Sequence, residues 1–203
     1  MASVVQICNL ALSNLGDGAR VTAIDPSDGS VQANLCAVFY PVARDALFER
    51  YPWSFANARA ALVLDTTIAD PLDSWEFSYV VPTDCLRVIG VHAEADSADR
   101  TPQDFVREGG YLFTNTEDAV IRYTKQVTLA TSYPALFVVA LARLLSSYLA
   151  GPLLKGMEGV KVGQAMLTQF EKLDFPLAAA KDANGQKNNS YGDFTPDSIA
   201  ARA

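Results

Sequence analysis

The chain has 203 residues, of which half are hydrophobic and 19% charged. That excludes a disordered or collagen-like protein and leaves ample apolar surface for a core in one or two domains. Asp and Glu number 23 against 16 Lys and Arg, a net charge of −7, which argues against gripping nucleic acid by phosphate neutralisation. The 3 cysteines have no Cys-x-x-Cys spacing, which argues against a disulfide framework and a structural zinc site.

The first basic residue is Arg20, so the N-terminus lacks the basic region of a signal peptide, and synthesis in the cytosol is expected. Ser3 and Gln6 match a capping box. Val4, Ile7, Cys8, Ala11 and Leu15 then recur at helical spacing, with Gly16 as the stop. Asp25 to Gly29 is turn chemistry. A second helix is expected from Ser30 to about Tyr51, burying a stripe of Val31, Leu35, Val38, Phe39, Val42 and Ala46. Pro41 should kink or break it, and Pro52 should end it.

The period then changes to two. Trp75, Phe77 and Tyr79 alternate with Glu76, Ser78 and Val80, which predicts a strand with one aromatic face. Pro82-Thr83-Asp84 is a turn, and Leu86 to His92 reads as a strand with a bulge at Gly90. Phe105–Arg107 and Tyr111–Thr114 flank Gly109-Gly110, a hairpin signal. Ala119 to Val127 alternates through Ile121 and Tyr123. One antiparallel sheet of four or five strands is therefore expected over residues 61–127, with an acidic exposed loop over 94–104.

Helical spacing returns after the sheet. Ser132 is a candidate cap, with Pro134 in the first turn and Gly151-Pro152 as the end. The run Pro134 to Leu154 is long enough to span a bilayer. Arg143 would be costly at the bilayer centre, so a buried central helix and no membrane contact are expected. A last helix starts between Met157 and Val162, shows Val162, Met166, Phe170 and Leu173 on one face, and kinks or ends at Pro176. The whole reads as α+β: a helical bundle from residues 1–60 and 128–183, an inserted small antiparallel sheet at 61–127, and an extended C-terminal arm at 184–203. Ten residues of the arm are Asn, Gln, Gly, Ser, Thr or Pro. It reads equally as a frayed tail or as a segment that folds on a partner through Tyr191, Phe194 and Ile199, with Arg202 as a charged contact.

Chemistry-bearing motifs are sparse. His92 is the one histidine, on a strand with no motif around it, so it reads as an ordinary strand residue. Glu94, Asp96, Asp99 and Asp104 lack the glycine and terminal glutamate of a calcium loop and read as a solvated acidic loop. Gly156, Gly159 and Gly163 are followed by no Gly-Lys-Ser/Thr and read as a connection between helices. Cys8, Cys36 and Cys85 sit among apolar residues and read as small core residues. The expectation is no catalytic residue, no metal and no cofactor.

What does stand out is a series of structural words. They are Ala11-Leu12-Ser13-Asn14-Leu15-Gly16, then Tyr40-Pro41-Val42-Ala43-Arg44-Asp45-Ala46-Leu47 leading to Tyr51-Pro52-Trp53-Ser54-Phe55-Ala56, then Tyr79-Val80-Val81-Pro82-Thr83-Asp84-Cys85-Leu86-Arg87-Val88. Their order and spacing resemble the tail tubular protein A family, the head-to-tail adaptors of short-tailed bacteriophages, over residues 3 to about 183. Trp53 and Phe55 are suited to wedging helices against the sheet and read as core.

The resemblance implies a structural protein of the virion, located at the head-tail junction. It would form a ring, usually of twelve copies, below the portal, extending the DNA channel and docking the tail nozzle or needle, and in some cases fibres. DNA would pass without specific binding: twelve copies of a −7 chain carry about −84, a field that repels phosphate. Two rivals from other classes are a virion-associated peptidoglycan hydrolase using two carboxylates, and a monomeric binding module or chaperone for a tail component. The first needs a cleft with a pKa-raised acid, and the sequence offers no distinctive pair.

Overall fold

Ser3 begins the first helix as its composition requires. Its hydroxyl accepts from the Gln6 N–H at 3.1 Å, and the Gln6 side chain accepts from the Ser3 N–H at 2.9 Å. The computed structural model describes residues 2–66, 75–93 and 101–186. Helix α1 spans Val4–Asn14 and buries Ile7, Cys8, Ala11 and Leu12. It closes in a Schellman motif: Gly16, at φ +75°, donates to the Ser13 carbonyl and Asp17 to the Leu12 carbonyl.

Helix α2 (Val31–Arg50) runs through Pro41 without a break. Pro41 is exposed, so the Ala37 carbonyl that loses its intrahelical donor is on a side water can reach. The buried face differs from the one expected. Ala33, Cys36, Tyr40, Ala43, Arg44, Leu47 and Phe48 face the core. Of the expected stripe, Leu35 and Phe39 pack against that core, whereas Val31, Val38 and Val42 are 65%, 63% and 56% exposed. The helix is apolar on two sides, and the core takes the side with small residues and Phe48, which packs its ring 5.0 Å from that of Phe137.

A short 3₁₀ turn, Ser54–Ala56, leads into the strands: β1 (Asn57–Ala61), β2 (Val63–Leu64), β3 (Phe77–Val80), β4 (Cys85–Ala93), β5 (Phe105–Glu108), β6 (Tyr111–Thr114) and β7 (Ala119–Lys125). The fold is α+β, but the strands begin at Asn57 and form two antiparallel sheets rather than one. Their orders are β1-β7-β4 and β2-β3-β6-β5. The division has a local cause. Leu62 still bonds to Ala119, where β7 starts, and with no β7 residue left the next residue, Val63, pairs with Val80 of β3. One extended run thus serves both sheets. Leu62, Tyr79, Leu112, Val91, Ile121 and Tyr123 bury between them as a second core. The expected bulge near Gly90 is present between Val88 and Gly90, and a further one lies between Cys85 and Arg87. The β5–β6 hairpin turns at Gly109, φ +59°.

Helix α3 (Ala135–Leu154) is capped at Pro134, not Ser132, and continues past Gly151-Pro152, both exposed, to Leu154. It is long and apolar enough to cross a membrane by composition, and it packs against α1, α2 and the helices that follow. Helix α4 (Gly156–Gln169) starts at once, through Lys155 at φ +56° and Gly156 at φ +58°. Gly159 and Gly163 are notches rather than connection. A Cβ on Gly159 would sit 2.8 Å from the Ala150 carbonyl oxygen, and one on Gly163 3.1 Å from that of Ser147. Pro176 does not end the helix. A π turn at Phe170–Asp174, closed by the Phe175 N–H on the Phe170 carbonyl, widens the coil by one residue just before the proline. Helix α5 (Phe175–Gln186) follows.

Candidate functional site

Residues of the second and third resembling words meet where α2 joins the sheets, while the first word packs on α3. Trp53 is 1% exposed, and its indole N–H donates to the Leu47 carbonyl at 2.9 Å, which folds the chain back against α2 as it leaves that helix. Its ring stands edge-on to Phe137 at 5.0 Å. Trp53 is therefore core, as read from the sequence, while Phe55 is half-buried, and both rings pack among helical residues rather than against the sheet. From the sheet side, Arg87 donates through one guanidinium nitrogen to the carbonyls of Glu49 and Arg50, at 3.5 and 3.3 Å. Asp84 accepts the Tyr123 hydroxyl at 3.0 Å and, through its carbonyl, the Gln126 N–H at 2.8 Å. The Gln126 side chain in turn donates to Asp45 of α2 at 2.7 Å. Asp45 is already forked by Arg44, at 2.7 and 3.1 Å. Burial, then the bond to Asp84, push the Tyr123 phenol up to about 12.

Two concavities flank this joint. A cleft of about 610 Å³ runs between α1, the loop after it and α2, and is lined by Val5, Thr22, Asp25, Tyr40, Arg44 and Thr128 among others. The Tyr40 hydroxyl is itself buried, which pushes its phenol up, the Thr22 hydroxyl donates to Asp28 at 3.0 Å, and Asp45 neutralises Arg44. A groove of about 320 Å³ is lined by Trp53, Pro134, Leu136, Phe137 and Ala178, with Lys181 and Gly185 at its side. Asp182 is held there by the N–H of Ser54 at 2.9 Å and its hydroxyl at 2.5 Å.

His92 is 6% exposed on β4, opposite Val120. Its Nε2 lies 3.3 Å from where a Cβ on Gly90 would be, so the glycine makes room for the ring. Asp104 is exposed, and its carbonyl accepts the Thr114 hydroxyl at 2.8 Å. Among the described residues no three His, Cys, Asp or Glu side chains gather as a metal site. Cys8 and Cys36 are fully buried and Cys85 nearly so, all three with free thiols. The Cys36 thiol beside it, then burial, push Cys8 up, so Cys8 stays a thiol. Asn184, Gly185 and Gln186, expected in the arm, form the last turn of α5. Glu94, Asp96, Asp99, Tyr191, Phe194, Ile199 and Arg202 lie outside the described residues.

Sequence reasoning missed the groove, because Trp53, Leu136 and Ala178 come from three distant segments. It also expected Val31, Val38 and Val42 of α2 in the core, where the structure leaves them exposed. The chain matches no protein-family model and no curated protein.

Proposed function

We propose that the chain is a head-to-tail adaptor of a short-tailed bacteriophage, a structural protein without catalytic residues or cofactor. In this reading copies form a ring below the portal, extend the DNA channel and carry the nozzle or needle. The observation that carries it is the order of the three words of sequence, from Ala11-Leu12-Ser13-Asn14-Leu15-Gly16 to Pro82-Thr83-Asp84-Cys85-Leu86-Arg87-Val88. The joint lends support. Of those words, Arg87 ties β4 to the end of α2, Trp53 folds the chain back onto α2 and Asp84 braces the turn before β4, as fold-specifying residues of a load-carrying part would. The net charge of −7 suits a channel through which DNA slides. Residues 187–203, with Tyr191, Phe194, Ile199 and Arg202, are the segment we assign to the portal or a neighbouring copy.

Electron microscopy of the purified chain, alone and mixed with the portal protein of the same virus, tests the reading. The expected result is a ring seated on the portal. A chain that never binds portal, or one that clears peptidoglycan and loses that activity on a single carboxylate substitution, overturns it.

A further inference from the structure

Helix α5 forms one wall of the groove beside Trp53. Ala178, Lys181, Asp182 and Gly185 line it, and their spacing places them on one face of the helix. Trp53, Pro134 and Leu136 line the other side. The groove is open at the Gly185 end, where a Cβ would meet nothing within 4 Å. Among the described residues Lys181 makes no ion pair, whereas Asp182 is held by Ser54. The groove therefore suits an apolar side chain with a carboxylate next to it. The chain leaves α5 at Gln186, directly after Gly185, so the residues that follow start at the mouth of the groove. Within residues 187–203 an aromatic side chain has an acid directly beside it at one place, Asp193-Phe194.

We infer that in the free chain this groove is the seat of the chain's own Phe194, with Asp193 on Lys181 and Tyr191 at the open Gly185 end. The lengths agree. Lys187-Asn188-Asn189-Ser190 has turn composition and lets the chain double back along α5. Gly185 and Ala178 are roughly 10 Å apart along the helix axis. In a polyproline II segment, with three residues per turn, Tyr191 and Phe194 share one edge at roughly 9 Å, and Pro196 just beyond favours that conformation. Tyr191 over Gly185 thus brings Phe194 over Ala178 and Trp53. The short tether gives the arm a high effective concentration at its own groove, which favours it over the arm of a second copy. The seat is loose, because a few side chains must hold residues 187–194 against their conformational entropy. Losing it therefore moves Tm little. The inference concerns the chain before it meets any portal, and it stands apart from the adaptor reading.

Paramagnetic broadening in NMR spectra of the full chain tests it. A nitroxide is placed on Asp197→Cys, the three native cysteines being buried. The expected result is broadening of the Lys181 and Leu136 amides beyond that of Leu177, which is on α5 but does not line the groove and is 54% exposed. Phe194→Ser should abolish the difference. Lys181→Glu, at an exposed position that leaves the fold intact, should reduce it, and adding Asp193→Lys should restore it. Equal broadening at Leu136 and Leu177 overturns the inference, as does an F194S or a K181E that broadens like the parent chain. So does broadening of Leu136 that appears only when spin-labelled chain is mixed with isotope-labelled chain lacking the nitroxide, since the arm would then belong to a second copy. A chain that seats its arm and never binds portal would sink the adaptor reading and leave this one standing.

Discussion

Arg143, in the middle of the most apolar helix, donates its Nε to Asp174 at 3.0 Å across the interface between α3 and the π turn. Both side chains are largely shielded, at 17% and 10% exposure. The π turn brings Asp174 to this position, and the arginine's second nitrogen rests on the Met166 sulfur at 3.3 Å. Asp174→Ala strands a shielded guanidinium and should cost about 2–4 kcal/mol. The pair Arg143→Met with Asp174→Leu should recover much of that. Urea unfolding of the two singles and the double gives the coupling, and a coupling below about 0.5 kcal/mol would show the pair to be incidental.

The glycine notches of α4 make opposite demands on helix propensity and packing. Gly159→Ala gains about 1 kcal/mol of propensity. It also drives a methyl to within 2.8 Å of the Ala150 carbonyl oxygen, a backbone atom that cannot swing aside. The net should be a loss of about 1–2 kcal/mol, or roughly 2–8 °C in Tm. Gly163→Ala, with 3.1 Å to the Ser147 oxygen, should stay within about 0.5 kcal/mol of wild type. Thermal melts that rank the two in the reverse order would contradict the close crossing of α3 and α4.

Lys155 holds φ +56° and ψ 165°, a backbone conformation suited to glycine. Lys155→Gly should relieve more strain than it adds in unfolded-state entropy, for a net gain of about 0.5–1.5 kcal/mol. A rise of a few degrees in Tm is the expected readout, and a fall would show that the lysine is unstrained.

Alkaline pH should loosen the joint. The Tyr123 phenol has a folded pKa pushed up to about 12 from an ordinary value near 10, by burial and then by the Asp84 carboxylate. The folded state therefore holds its proton longer than the unfolded state. That contribution is complete below the unfolded pKa, declines as pH rises beyond it, and is gone once pH has passed the folded value. Stability measured by urea between pH 9 and 12 should fall more steeply in the wild type than in Tyr123→Phe. Equal slopes would place the titration elsewhere.

Ending the chain after Gln186 keeps all of α5, including Gly185 at the side of the apolar groove. On the adaptor reading this truncation should leave Tm within about 2 °C and weaken attachment to the portal. Attachment equal to that of the full chain would remove Tyr191, Phe194, Ile199 and Arg202 from the contact.

Legibility in the sequence followed the range of the interaction. The capping box of Ser3 and Gln6, the Gly16 stop and the Gly109 hairpin are decided within a few residues, and each formed where it was read. In α2 Leu35 and Phe39 reach the core as read, but the three valines do not, because two apolar sides compete for one core and the small Ala33, Cys36 and Ala43 allow the closer approach. The prolines at 41, 152 and 176 break or end no helix. The first two lie on exposed sides, and the third is absorbed by a wider turn. The split into two sheets turns on where β7 begins, a fact about strand partners that alternation along one strand cannot carry. His92 and the cysteines read correctly as strand and core residues, since nothing near them asked for more.

The joint between helices and sheets has an evolutionary side. Arg87 is bound to the carbonyls of Glu49 and Arg50, not to their side chains. Glu49 is exposed, so its side chain can drift to almost any residue while the hinge keeps its angle. Relatives should therefore vary freely at position 49 and hold an arginine at position 87, a pattern in which the exposed partner of a contact is anonymous and the donor is not.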